Sequence, residues 1–163
     1  MKIALLCTVV VGVVIGVSLP VSPPAGSPGP VTVAAVAAAE PEDPPVDTVL
    51  KRSPGGHFYA VVEVNGEPIR FLVDTGASVV AMTQADAKRA HIIFDQGDFV
   101  AVGKGAAGVV RGKEVAIDRI VLDGKTARGL RGIVMADSEM SLLGQNYLRN
   151  LDVAIKGDTM TLR

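Results

Sequence analysis

The feature that most constrains this chain is a run of three apolar residues, 71–73, that ends directly in an acid, Asp74. Four small residues follow the acid: Thr75, Gly76, Ala77 and Ser78. The apolar run favours burial, so the carboxylate comes at the edge of a core, where a lone charge is costly without a partner. Gly76 lacks a Cβ and lets another backbone approach closely. The segment therefore indicates either an ordinary Asp-Thr-Gly turn after a strand or a functional acid.

A second segment, residues 141–148, lies about seventy residues later and places two leucines directly before Gly144. Together the two segments resemble the retropepsin-like aspartic proteases, in which a hydrophobic-hydrophobic-Asp-Thr/Ser-Gly-Ala element precedes a hydrophobic-hydrophobic-Gly element. The layout is most similar to that of single-domain bacterial members made behind a signal or anchor segment. The resemblance covers roughly residues 57–163. It implies an all-β, closed barrel-like half-lobe with one or two short helices that forms a homodimer.

The N-terminus is typical of a targeting segment. A short basic end precedes an almost unbroken apolar run, residues 3–19, of a length between a signal-peptide core and a membrane span. Residues 1–19 are therefore predicted to be either a cleaved signal peptide or a retained anchor that tethers the protein to the membrane. Either fate exports the domain to the periplasm or cell envelope.

Composition separates a linker from a folded domain. Residues 20–46 are rich in Pro and Ala and are predicted to be a semi-extended linker, and residues 47–163 form the predicted protease domain. The net charge of −1 gives no reason to expect a nucleic-acid partner. The only cysteine, Cys7, lies in the targeting segment, which excludes a disulfide and cysteine catalysis from the exported domain.

Apolar patterning within the domain predicts many short strands. The predicted strands are 58–64, 67–73, 79–82, 99–102, 109–117, 117–122, 130–135, one ending at 142–143, and a final hairpin of 153–155 with 160–162. Asn65-Gly66 is a strong hairpin signal. Thr83 can cap a short helix over 84–90, and a second short helix fits 144–151.

A glycine-rich stretch lies between two of these strands: Gly103, Lys104, Gly105, Ala106, Ala107 and Gly108. It matches Gly-x-Gly-x-x-Gly, but a phosphate-binding loop of that form opens a helix, and the residues that follow here do not. The pattern therefore favours a hairpin tip over a nucleotide site. In the family that this chain resembles, this position holds the flap that closes over substrate.

Peptide hydrolysis by carboxyl groups requires two of them, sharing one proton. Only Asp74 has the required setting, because Asp123 sits in a turn with Gly124, while Asp118, Asp137 and Asp152 have polar neighbours typical of the surface. The second carboxyl is therefore expected from Asp74 of a second copy on a two-fold axis. A monomer would be inactive.

The resemblance also implies roles for the neighbours of Asp74. Thr75 would bond across the dyad, Gly76 would accept the substrate backbone, and Ala77 and Ser78 would line the cleft. The second segment would support the active loop through four residues: Leu142, Leu143, Gly144 and Asn146. The chain departs from the viral members, which usually place Asp at the position of Ser78 and Arg at that of Gln145.

These features predict an aspartic endopeptidase that cleaves extended peptide segments without a cofactor or metal. With no Cys and no paired histidines in the domain, His57 and His91 are interpreted as structural. No Gly-x-Ser-x-Gly elbow is present for a serine hydrolase. Two alternatives stay open: a retropepsin-like domain at the cell envelope that binds peptides or proteins without cutting them, and a structural module in which Asp74 is a turn acid.

Overall fold

The computed structural model describes residues 43–105 and 108–163. The predicted targeting segment, the linker up to residue 42, and the flap residues Ala106 and Ala107 lie outside the described residues. Within the part of the chain that is described, no helix is long and apolar enough to cross a bilayer.

The described domain is mostly β, with short helices. Its strands are β1 (Thr48–Lys51), β2 (Tyr59–Val64), β3 (Glu67–Val73), β4 (Val80–Met82), β5 (Val100–Gly105), β6 (Gly108–Leu122), β7 (Lys125–Met135), β8 (Ser141–Leu143), β9 (Val153–Lys156) and β10 (Thr159–Leu162). The helices are α1 (Gln84–Arg89) and α2 (Gln145–Leu148), with a 3₁₀ turn at Gln96–Asp98.

Six strands close into a barrel in the order β2-β3-β8-β4-β7-β6. Closure occurs where Glu63 and Val64 of β2 pair with Val121 and Ile120 of β6. Among the described strands, β5 pairs with β6 alone and extends from the barrel as one arm of a hairpin. The all-β class and the closed half-lobe expected from the sequence are thus confirmed.

Alternation along the strands supplies the core of the barrel. In β3, Ile69, Phe71 and Val73 are buried while Pro68 and Arg70 are exposed, as expected for a strand with one face on a core. The largest fully buried side chains share this interior: Tyr147, Phe71, Ile69, Met82, Ile117, Ile120, Leu143 and Leu148. Aliphatic residues dominate because the chain has few aromatic ones.

Several predicted element bounds differ from the observed ones. Strands predicted over 109–117 and 117–122 form one 15-residue strand, β6, because no turn interrupts it and it pairs with β5 on one edge and β7 on the other. The predicted strand 99–102 extends to Gly105 through a bulge between Ala101 and Gly103. Helix α2 is shorter than 144–151, whereas α1 begins as predicted, with Thr83 Oγ1 accepting from Asp86 N at 3.0 Å.

A second, three-stranded sheet joins the two ends of the described domain. Its order is β1-β10-β9, and Thr48 pairs with Leu162 while Lys51 pairs with Thr159. Strand β1 was not predicted from the sequence. Its four residues have no turn signal of their own, and they are ordered by pairing with β10 more than one hundred residues away.

Candidate active site

Asp74 follows β3 directly, at the point where two parallel strands end. Strand β3 pairs with β8 in parallel, Val73 opposite Leu143, and Asp74 N donates to Leu143 O at 3.1 Å. Strand β8 lies between β3 and β4, so the chain from Asp74 to Val79 crosses over the end of β8. This crossing leaves the Asp74 side chain half-buried at the rim of the core.

The loop that carries Asp74 is fixed by its own backbone. Gly76 N donates to Asp74 Oδ1 at 2.8 Å, and Ala77 N donates to Asp74 O at 3.2 Å. The first of these bonds orients the carboxyl group. Because Thr75 and Gly76 are exposed, the loop presents its tip to the outside of the barrel.

Helix α2 holds the other half of this loop through backbone and side-chain bonds. Gln145 N donates to Ala77 O at 2.8 Å, and Asn146 N donates to Ser78 O at 3.1 Å. The Asn146 side chain accepts from Val80 N at 2.9 Å and donates to Arg131 O at 2.6 Å. Asn146 therefore ties the loop to both β4 and β7.

Gly144 has no room for a side chain. A Cβ at this position would lie 2.2 Å from Val79 O and 2.9 Å from Ala77 O, both of them backbone atoms. The active loop and the start of α2 thus approach each other as closely as their backbones permit. Of the two preceding leucines, Leu143 is fully buried beneath the loop and Leu142 is half-buried.

A cleft of about 650 Å³ lies over Asp74. Its residues come from the loop that carries Asp74, the hairpin of β5 and β6, and the barrel: Asp74, Gly76, Ala77, Ser78, Val79, Ala81, Val102, Gly103, Lys104, Gly105, Val110, Ile133, Met135 and Leu142. Asp74 is the only acid among them, and Lys104 is the only other charged residue. The structure therefore brings together one carboxyl group, apolar walls and a glycine-rich hairpin.

Most of the candidate residues from the sequence lie at this cleft or directly behind it. Thr75 does not line it, and in the described ranges its hydroxyl makes no hydrogen bond. Sequence reasoning missed the apolar walls Val102, Val110, Ile133 and Met135. They lie on three consecutive strands, and the pairing of β5 with β6 and of β6 with β7 places them together.

The other acids considered from the sequence, and both histidines, lie outside this cleft. Asp118, Asp137 and Asp152 are exposed, and Asp123 occupies a turn in which Thr48 Oγ1 donates to its carboxylate at 2.5 Å. His57 and His91 are also exposed. A groove of about 700 Å³ beside the 3₁₀ turn does not include Asp74. Both of its acids are paired, Asp98 with Lys113 at 2.8 Å and Glu114 with Arg131 at 3.5 Å.

The closed barrel, with an Asp-Thr-Gly loop beside its Leu-Leu-Gly segment, has the architecture of retropepsin-like proteins. Residues 60–150 match the family described as gag-polyprotein putative aspartyl protease. The chain belongs to this retropepsin-like family.

Individual relatives agree with this assignment. A crystal structure of a retropepsin-like aspartic protease from Rickettsia conorii is 29% identical, with a TM-score of 0.60 over 72% of this chain and 89% of that one. Two uncharacterized proteins are each 30% identical. One, from Sinorhizobium sp and encoded in the cobV 5′ region, matches over 83% of this chain and 58% of its own length. The other, RP867 of Rickettsia prowazekii (strain Madrid E), matches over 63% of this chain and 44% of its own. This chain thus spans about half the length of these two relatives.

Proposed function

We propose that this chain is an aspartic endopeptidase whose active form is a homodimer. The observation that carries the proposal is the Asp74 carboxyl, held by Gly76 N–H at 2.8 Å and placed in an apolar cleft under a glycine-rich hairpin. A single carboxyl in that cleft is half of the pair that such chemistry requires. The exposed Thr75-Gly76 tip is the part of the loop that a second copy would meet across a two-fold axis.

In the proposed dimer the two Asp74 carboxyls share one proton and carry one negative charge, because ionising both at close range is unfavourable. The ionised member takes a proton from a water between them, and the water oxygen attacks the peptide carbonyl carbon. The protonated member donates a hydrogen bond to the carbonyl oxygen. The C–N bond then breaks as the leaving nitrogen receives a proton from the pair. The apparent pKa values belong to the pair rather than to either carboxyl.

The proposed substrate is an extended peptide segment. Strands β5 and β6 form one side of the cleft, and the active loop forms the other, so a peptide would lie between two stretches of backbone. The walls around it are mostly aliphatic. We further propose that the domain works in the periplasm or cell envelope, on the strength of the apolar segment at residues 3–19.

Replacement of the acid by its amide, Asp74→Asn, tests the proposal. Asparagine keeps the shape and an oxygen acceptor for Gly76 N–H, so the fold and the dimer mass should not change. Cleavage of an unfolded protein substrate should fall by at least about a hundredfold, because general acid–base catalysis is lost. Substrate cleavage is followed by mass spectrometry, with Asp137→Asn, at an exposed acid away from the cleft, as the matched control.

Two results would contradict the assignment. If Asp74→Asn cleaves as well as the parent, Asp74 is not catalytic. If the parent and the Asp74→Asn variant bind the same peptide with similar affinity and neither cleaves it, the domain is a binding module of this fold.

A further inference from the structure

One peptide unit in the active loop is held at both of its polar ends. Its N–H, from Gly76, donates to Asp74 Oδ1 at 2.8 Å. Its carbonyl oxygen, from Thr75, accepts a hydrogen bond from Gln145 Nε2 at 3.0 Å. Since a peptide unit is planar and rigid, the two bonds cannot be oriented independently. The direction of the N–H that meets the carboxyl is therefore coupled to the bond that Gln145 makes on the other side.

Gln145 is well placed to hold this unit. It is the first residue of α2, and its own backbone N–H is anchored to Ala77 O at 2.8 Å. The residue as a whole is half-buried. Among the described residues, no other side chain bonds to the Thr75 carbonyl. A single residue thus anchors the carbonyls on both sides of Gly76.

We propose that Gln145 is a positioning residue for Asp74, acting through the Thr75–Gly76 peptide unit; the catalytic part of this inference rests on the proposed function. With the amide in place, the unit cannot rotate without breaking two hydrogen bonds. The Gln145 bond also polarises the peptide group and strengthens its N–H as a donor. Without the amide, the N–H would turn away from Oδ1 and the carboxyl would lose its fixed orientation.

Hydrogen exchange at the Gly76 amide tests the structural half of this proposal without any need for activity. In Gln145→Met, which keeps the length of the side chain but removes the donor, exchange measured by NMR should be roughly threefold to tenfold faster than in the parent, as expected for the loss of one hydrogen bond. Gln84→Met is the matched control, because Gln84 Nε2 also donates to a backbone carbonyl, Ala136 O at 2.7 Å, but in helix α1. The control should leave Gly76 exchange unchanged. Unchanged exchange in Gln145→Met would overturn the proposal.

The pH profile of peptide cleavage tests the catalytic half. In Gln145→Met, kcat should fall roughly tenfold with little change in KM, because Gln145 does not touch the cleft. The acid limb of the profile should move to higher pH, since a fixed N–H bond favours the ionised carboxyl. A fall in kcat with an unmoved acid limb would assign Gln145 a merely structural role and overturn the catalytic half.

A second variant distinguishes loss of the Gln145 hydrogen bond from misfolding of the protein. In Gln145→Glu the introduced carboxyl can donate to Thr75 O when protonated, but once ionised it repels that oxygen. Its activity relative to the parent should therefore decline as pH rises through the pKa of the new group, about 4.3 for an ordinary Glu. If the ratio of the two activities does not change with pH, the proposal is contradicted.

The failure of this inference and the failure of the proposed function can be told apart. If the parent itself cleaves nothing, the proposed function fails, and the exchange experiment still decides whether Gln145 holds the peptide unit.

Discussion

Tyr147, in helix α2, places a phenol in the interior of the barrel. Its ring is buried in the core and its hydroxyl donates to Lys125 O at 2.7 Å. Burial, reinforced by the nearby Asp123 carboxylate, raises the pKa of Tyr147 above its ordinary value of 10.0. In the folded state the phenol therefore stays neutral at a pH where the unfolded chain already ionises it.

The sign of the resulting pH dependence follows from this difference. The stabilisation is fully present below pH 10 and is lost as pH rises above it, so the free energy of unfolding should fall by about 1.4 kcal/mol per pH unit from this group. Urea titrations between pH 8 and 11 measure the slope. Tyr147→Phe should be somewhat less stable at pH 8, because a buried carbonyl loses its partner, but should lack this extra slope. Equal slopes in the two proteins would contradict the prediction.

Single residues at the site differ in how far the sequence could reveal them. Asp74, Gly144 and Asn146 fall in two short motifs whose residue types are distinctive, so the resemblance could assign each a role. Gln145 was noted only because viral members usually have Arg there. Its partner is the backbone carbonyl of Thr75, seventy residues away. Every residue has a backbone carbonyl, so the residue type at position 75 does not indicate this hydrogen bond.

At the scale of elements, the junction between β8 and α2 should tolerate no side chain. In Gly144→Ala, the new Cβ would lie 2.2 Å from Val79 O, so the active loop or the helix must shift. We expect a loss of about 1–3 kcal/mol in the free energy of unfolding, as for other overpacked sites, together with reduced cleavage. Urea denaturation provides the measurement.

Gly55→Ala is the control for this junction, because its Cβ would meet its nearest neighbour, His57, at an ordinary 3.7 Å. It should change stability by only a few tenths of a kcal/mol. Similar losses in the two variants would show that the close approach at Gly144 relaxes without cost.

Elements formed by neighbours in sequence were largely predictable, and those formed by distant partners were not. The hairpin at Asn65-Gly66 carries its own turn signal, and helix α1 carries its own cap at Thr83. The insertion of β8 between β3 and β4, by contrast, pairs three-residue segments from separate parts of the chain. The family resemblance implied that Leu142 and Leu143 pack beneath the active loop, but this strand order was not predicted.

For the whole molecule, closure of the barrel gives the single chain a complete core, whereas the proposed catalysis needs a carboxyl group from a second copy. The six strands bury their apolar faces within one copy, as the core residues show. The active loop points outward and contributes one carboxyl. Folding and catalysis should therefore have different requirements: one chain for the first and two for the second.

Mixing of active and inactive chains tests whether catalysis requires two copies of the chain. When a fixed amount of parent is unfolded and refolded with an equal amount of Asp74→Asn, random pairing of homodimers should lower the total cleavage rate to roughly half, and a threefold excess should lower it to roughly a quarter. The loss arises because a mixed dimer holds only one ionisable Asp74, which cannot share a proton with a twin. Asp137→Asn, added in the same way, should instead raise the rate in proportion to the chain added. If the Asp74→Asn chain leaves the rate of the parent unchanged at every ratio, each chain acts on its own and the shared active site is wrong.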